Sequence, residues 1–245
     1  PDVAPSRPTA AQLLGRVTEV VRREVQVVDD QLGRNGVTVL RGVGSFQDPH
    51  TILVQGDSGV RPVTGEYILV AVGTQASHPG GAALDSEVAI TSDDIVGLKQ
   101  LPRAMAVVGG GVIGVEYASM FAALGVRTDL IERKERLLPF VDTEIVESLS
   151  LQLRTNDCTI RLGETVEAIE ILQPSRGQVA LKSGKKLTSD LILYAMGRMG
   201  ASAPRNLPAD GDIIGFPALA STSMEQGRLV VSNALDAYNR MGFGG

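Results

Sequence analysis

The sequence predicts an α/β fold in which helices pack on a parallel sheet, and three observations carry that expectation. A short apolar run rich in Val, residues 104–108, is joined by a glycine turn to a helical stretch, 112–124. A second apolar run, 126–131, follows that helix at once, as a strand–helix–strand unit requires. Aromatic residues make up only 4% of the 245 residues and Trp is absent, so Ala, Val, Leu and Gly must build a close-packed layered interior.

Along the chain, Thr9 and Gln12 have capping-box spacing, with the hydroxyl and the amide each able to satisfy a free N–H at a helix start. Leu14, Val17, Val21, Val25, Val28 and Leu32 then recur at steps of three and four, which predicts a long helix with one apolar stripe, ending near Gly33 or Gly36. The stripe is expected to pack on the body of the molecule, with a second subunit as the alternative. Short strands of an antiparallel layer are expected at 37–40, 44–46 and 51–54. A fully apolar strand is expected at 67–72, ending at Gly73, with a loop at 75–83 and a linker at 91–101.

The turn after 104–108 is the most informative feature. Gly109, Gly111 and Gly114 have the G-x-G-x-x-G spacing of a dinucleotide-binding turn. The first glycine permits the tight turn, the second lets a pyrophosphate approach the backbone, and the third lets the helix pack closely on the sheet. The backbone of Gly109, Gly110, Gly111, Val112, Ile113 and Gly114 is therefore the candidate phosphate cradle, assisted by the positive end of the helix dipole. Gly125 stands where a glycine ends a helix. Glu132 lies 23 positions past Gly109, where an acid accepts from a ribose hydroxyl. Arg133, Lys134 and Arg136 follow and could receive a 2′-phosphate, so the site could admit NAD and NADP alike. The competing reading is a glycine turn without a ligand beside a solvated basic loop.

Further on, Asp142 can cap a helix over 143–155 with Ile145, Val146, Leu149 and Leu153 on one face. Strands are expected at 158–162, 164–172, 178–181 and 190–195, the last closed by Gly197. A Pro-rich joint at 201–209 precedes Gly211-Asp212 and a helix over 218–235.

Other function classes are excluded by composition. A net charge of −5 opposes a nucleic-acid surface. No run of 18 apolar residues suggests a membrane span, and no leader is visible, so a soluble, cytoplasmic protein is expected. A single cysteine, Cys158, excludes an internal disulfide and reads as a buried spectator thiol. His50 and His78 lack metal-ligand spacing with it, so no metal site is expected.

Four blocks together resemble the flavin-dependent pyridine nucleotide-disulfide oxidoreductase family: Leu69-Val-Ala-Val-Gly-Thr74, the turn at 109–114 with Glu116, the strand ending Ala195-Met-Gly-Arg198, and Gly211-Asp212. The wording of 116–125, 183–187 and 215–228 is similar to its soluble transhydrogenase branch. This resemblance implies a Rossmann-like FAD/NAD(P)-binding fold in which an NAD(P) domain, 91–203, is inserted in a partial FAD domain, 1–90 and 204–245. It implies a flavoprotein passing hydride between NADPH and NAD through FAD, a homo-oligomer when full-length. Residue by residue, it places Glu116 near the nicotinamide as the catalytic candidate and Gly197 beside that nucleotide. It places Asp212 on the ribityl chain of FAD, Ala220 in the helix start that faces the flavin, and Gly73 at the flavin-domain strand end. The chain departs from the family in lacking its opening glycine turn, its C-x₄-C pair and the segment that leads into Gly211, so it looks incomplete. A non-catalytic NAD(P)-binding remnant and a dihydrolipoamide dehydrogenase-like enzyme are the alternatives; the missing cysteine pair weighs against the latter.

Overall fold

The computed structural model describes residues 8–77, 84, 87–172 and 175–201. The chain divides into two compact units, residues 1–35 with 76–198, and residues 36–75 with 199–245. The expected joint at 201–209, the helix at 218–235, and His78, Asp212 and Ala220 lie outside the described residues.

The first unit opens with α1 (Ala10–Arg34), started by the Thr9–Gln12 capping box and closed at Asn35. Only Ala10 is buried, and the middle of the apolar stripe is exposed, Val21 by 54%, while Leu14 and Leu32 at its ends are half-buried. The expected packing of that stripe on the body is thus not found among the described residues.

Five parallel strands form the unit's centre: β5 (Ala89–Thr91), β6 (Ala104–Val108), β7 (Arg127–Ile131), β8 (Cys158–Arg161) and β12 (Leu191–Tyr194), in the order β5-β12-β6-β7-β8. Helix α2 (Val112–Ala123) connects β6 to β7, and α3 (Thr143–Thr155) connects β7 to β8. Every residue of β6 is buried, and alternate side chains serve opposite layers. Met105 and Val107 join the helix-side core with Val115, Phe121 and Leu153. Ala106 and Val108 join Ile169, Val179 and Leu181 on the other face. Those last three come from an antiparallel meander of β9 (Val166–Leu172), β10 (Arg176–Leu181) and β11 (Lys186–Ser189). A strand buried on both faces has no polar side, which explains the unbroken apolar run at 104–108.

Local signals behave as their chemistry dictates. Asp142 accepts from the Glu144 N–H at 3.0 Å and starts α3. Gly125 takes φ +76° and donates to Ala122 O, ending α2. Val146 and Leu153 face the core, but Ile145 is 61% exposed, because a helix on a sheet buries a narrower stripe than the sequence face suggested.

The second unit holds β1 (Val43–Asp48), β2 (Thr51–Gly56) and β3 (Gly59–Thr64), an antiparallel sheet with β2 central. Pro62 is tolerated because β3 is an edge strand. Residues 37–40 and 67–72 are not strands. The second segment is apolar enough, yet Leu69 is 60% exposed, since no described strand runs beside it to accept its backbone hydrogen bonds. Thr74–Ala76 (β4) and Arg198–Gly200 (β13) pair as a two-stranded ribbon. No helix among the described residues is long and apolar enough to cross a membrane.

Candidate functional site

The site is built where β6 ends. Gly109 takes φ +113°, a conformation open to glycine, and a Cβ there would strike the Ala195 carbonyl. A Cβ on Gly114 would strike the Gly109 carbonyl oxygen, so only a bare α-carbon lets α2 press this closely on the strand. A Cβ on Gly110 would meet Leu137 Cδ2 at 2.5 Å and Glu132 Cβ at 2.9 Å. These three glycines are required by the protein's own packing.

Gly111 is different. A Cβ built on it meets nothing within 4 Å, and its φ of −78° would suit any residue. Its missing side chain therefore leaves space, and that space adjoins the start of α2. No side chain caps that helix; Val115 N–H donates to Gly111 O at 3.0 Å, while the N–H groups of Val112 and Ile113 precede any intrahelical acceptor. Free donors, the dipole's positive end and an unfilled approach make a cradle for an anion.

Glu132 closes β7 beside it. Its carboxylate accepts from Gly110 N–H at 2.6 Å and from Lys134 N–H at 2.9 Å. The backbone of Glu132 is itself fixed, donating to Arg161 O and accepting from Glu164 N–H. The acid is thereby set against the turn, with lone pairs remaining for a further donor.

The basic loop divides. Arg133 and Lys134 are exposed, whereas Arg136 is half-buried and spent on structure: it donates to Thr143 Oγ1 and to Val141 O. The expectation that Arg136 could receive a phosphate is corrected, because its guanidinium anchors the entry to α3.

Gly197 (φ +116°) follows β12 and accepts from Ser77 N–H at 3.0 Å, two residues on from the Ala195 carbonyl that underlies Gly109. Arg198 is no loose surface cation, since it donates to Asp93 Oδ1 at 2.6 Å and to Ser92 Oγ. Glu116 is exposed on α2, one turn past Val112 and on the same face. It flanks an apolar groove of about 440 Å³ formed with Met120, Leu138, Phe140 and Leu149. Next to it, the Tyr117 phenol is pushed up by burial and then by the Glu116 charge. Gly73 (φ +71°) belongs to the second unit, where its carbonyl accepts from Ala201 N–H.

Cys158 is 3% exposed at the start of β8, and its thiol is pushed up to about 11 by burial and by Asp129. It is inert at neutral pH, as a spectator should be. His50 serves the β1–β2 turn, its ring nitrogen lying 3.2 Å from Gly65 O.

Sequence reasoning gave no site role to Leu137, Leu138 or Ala195, which wall the turn. Leu138 N–H donates to Gly110 O, and the apolar pair directly after a charged run was the available signal.

The family model described as pyridine nucleotide-disulphide oxidoreductase matches residues 2–225. A soluble pyridine nucleotide transhydrogenase of Mycobacterium bovis is 43% identical over 93% of this chain and 54% of its own length. A soluble pyridine nucleotide transhydrogenase of Colwellia psychrerythraea is 35% identical over 95% of this chain and 55% of its own. The chain thus spans about half the length of the curated relatives it matches. A variant of the flavoprotein disulfide reductase RclA from Escherichia coli superposes with a TM-score of 0.71 at 30% identity, covering 78% of this chain and 43% of that one. LpdA from Mycobacterium tuberculosis shares the fold, with a TM-score of 0.85 at 20% identity over 94% of this chain and 57% of its own.

Proposed function

The chain belongs to the pyridine nucleotide-disulphide oxidoreductase family, and from that premise we propose that residues 91–203 bind NAD(H) or NADP(H) at the turn 109–114. They would do so as the nucleotide part of a cytoplasmic flavoprotein that passes hydride between NADPH and NAD through FAD. The observation that carries this reading is the open space at Gly111, next to uncapped helix N–H groups and to a carboxylate held by Gly110.

In this reading the N–H groups of Val112 and Ile113 bind the pyrophosphate, and the α2 dipole favours its charge. Glu132 accepts from a ribose hydroxyl, and the exposed Arg133 tolerates a 2′-phosphate. Glu116 orients the nicotinamide end and Gly197 leaves room beside it. Gly73, Asp212 and Ala220 are the residues proposed for the flavin side, in 1–90 and 204–245. Bound FAD would supply the hydride relay; the chain's own task is to position the nucleotide and exclude water around it.

A second reading, a flavin-free NAD(P) binder, is favoured by one observation: the glycine turn, the start of α2 and Glu132 all lie in the first unit. An absorbance spectrum of the purified chain and a fluorescence titration with NADH separate the two. Yellow protein that NADPH reduces and NAD reoxidises supports the first. Colourless protein that binds NADH supports the second. Absence of NADH binding in either form overturns both.

A further inference from the structure

The opposite end of the same sheet carries a second polar hollow. It lies where β6, β7 and β12 begin, roughly 20 Å along β6 from the glycine turn. Its volume is about 260 Å³, and its walls include Arg103, Arg127, Arg176, Ser189 and Asp190. Asp190 is turned to its own partners: Oδ2 accepts from the N–H groups of Arg103 and Ala104, and Oδ1 lies 3.5 Å from Arg176 Nε. The side chains of Arg103 and Arg127 form no ion pair or hydrogen bond among the described residues, although both border the hollow.

Ser189 supplies an independent sign. It is 6% exposed, and its hydroxyl is buried without a hydrogen-bond partner. A buried hydroxyl left unpaired is costly, and such atoms are few in folded proteins. Ser189 lines the hollow beside Arg103 and Arg127, whose guanidinium groups carry planar donors that match a tetrahedral oxyanion.

We propose that this hollow is a binding site for a phosphate group, separate from the glycine turn. Arg103 and Arg127 supply the charge, Ser189 donates its hydroxyl, and Asp190 keeps Arg176 in place. The inference stands on these residues alone and does not depend on the nucleotide reading.

The test titrates inorganic phosphate and, in a second arm, glycerol phosphate into the ¹⁵N-labelled chain. The expected result is saturable shifts of the Ala104, Ser189 and Asp190 amides. The double variant Arg103→Gln/Arg127→Gln weakens binding at least ~tenfold, and Ser189→Ala weakens it about threefold. Tighter binding of glycerol phosphate assigns an esterified ligand, and tighter binding of inorganic phosphate assigns the free anion; either supports the site. Both arginines are exposed, so the double variant is expected to melt with the parent. Shifts confined to 109–113, no shifts at all, or unchanged affinity in the double variant overturn the proposal.

Discussion

The amide of Gly110 donates to Glu132 Oε2 at 2.6 Å, so the acid that ends β7 is fastened to the turn that ends β6. Two strands neighbouring in the sheet thus deliver one site. Glu132→Ala strands the Gly110 and Lys134 N–H groups and should weaken NADH binding by about 2 kcal/mol. Glu132→Gln keeps an acceptor without the charge, and should lose less NADH affinity while gaining NADPH affinity. Parallel titrations with both nucleotides check this; equal losses for the two nucleotides in Glu132→Gln would oppose the assigned contact.

Gly111 and Gly114 should separate binding from folding. Gly111→Val adds atoms only to open space, so stability should stay within about 0.5 kcal/mol while NADH binding loses at least ~2 kcal/mol. Gly114→Ala forces a collision with the Gly109 carbonyl and should cost about 3 kcal/mol of stability. Urea denaturation beside nucleotide titration distinguishes the two outcomes.

The basic loop should set nucleotide choice through its exposed members only. The parent is expected to bind NADPH within about tenfold of NADH, since a carboxylate and nearby cations offer partners to both. Arg133→Ala/Lys134→Ala should weaken NADPH roughly tenfold and NADH far less. Arg136→Ala should leave the NADPH-to-NADH ratio alone and lower stability by about 1 kcal/mol, through loss of the Thr143 and Val141 contacts.

Cys158 predicts an alkaline weakness. Its folded-state thiol is raised to about 11 from an ordinary 9.0, so the unfolded chain releases that proton first as pH rises. The contribution is complete below about pH 9 and disappears through about pH 11, amounting to about 2 kcal/mol. Cys158→Ala lacks this step. Denaturation of parent and variant at both pH values should show the parent losing the larger amount.

The parts legible in the sequence are those decided locally. A cap needs Asp142 and a nearby N–H; a turn with a bare approach needs Gly111; a doubly buried strand needs an unbroken apolar run such as 104–108. What was not legible depends on distant neighbours. Residues 67–72 have the composition of a strand but lack a described partner. Arg136 resembles its basic neighbours until α3 folds against it. Residues 59–64, with Pro62 inside, form a strand because β2 offers them an edge. Gly110 is legible only as part of the cradle backbone, and the folded chain shows why it must be glycine, with Leu137 and Glu132 closing over it.

Helix α1 has a consequence of its own. It spans 25 residues, about 37 Å, with one buried residue, and its supports include the capping box, the Asn35 cap and the Glu19 pairs to Arg22 and Arg23. Each such support is worth only tenths of a kilocalorie to about one. Heating should therefore unwind this rod ahead of the sheet, giving circular dichroism two separate transitions, the earlier one sensitive to Thr9→Ala and to salt.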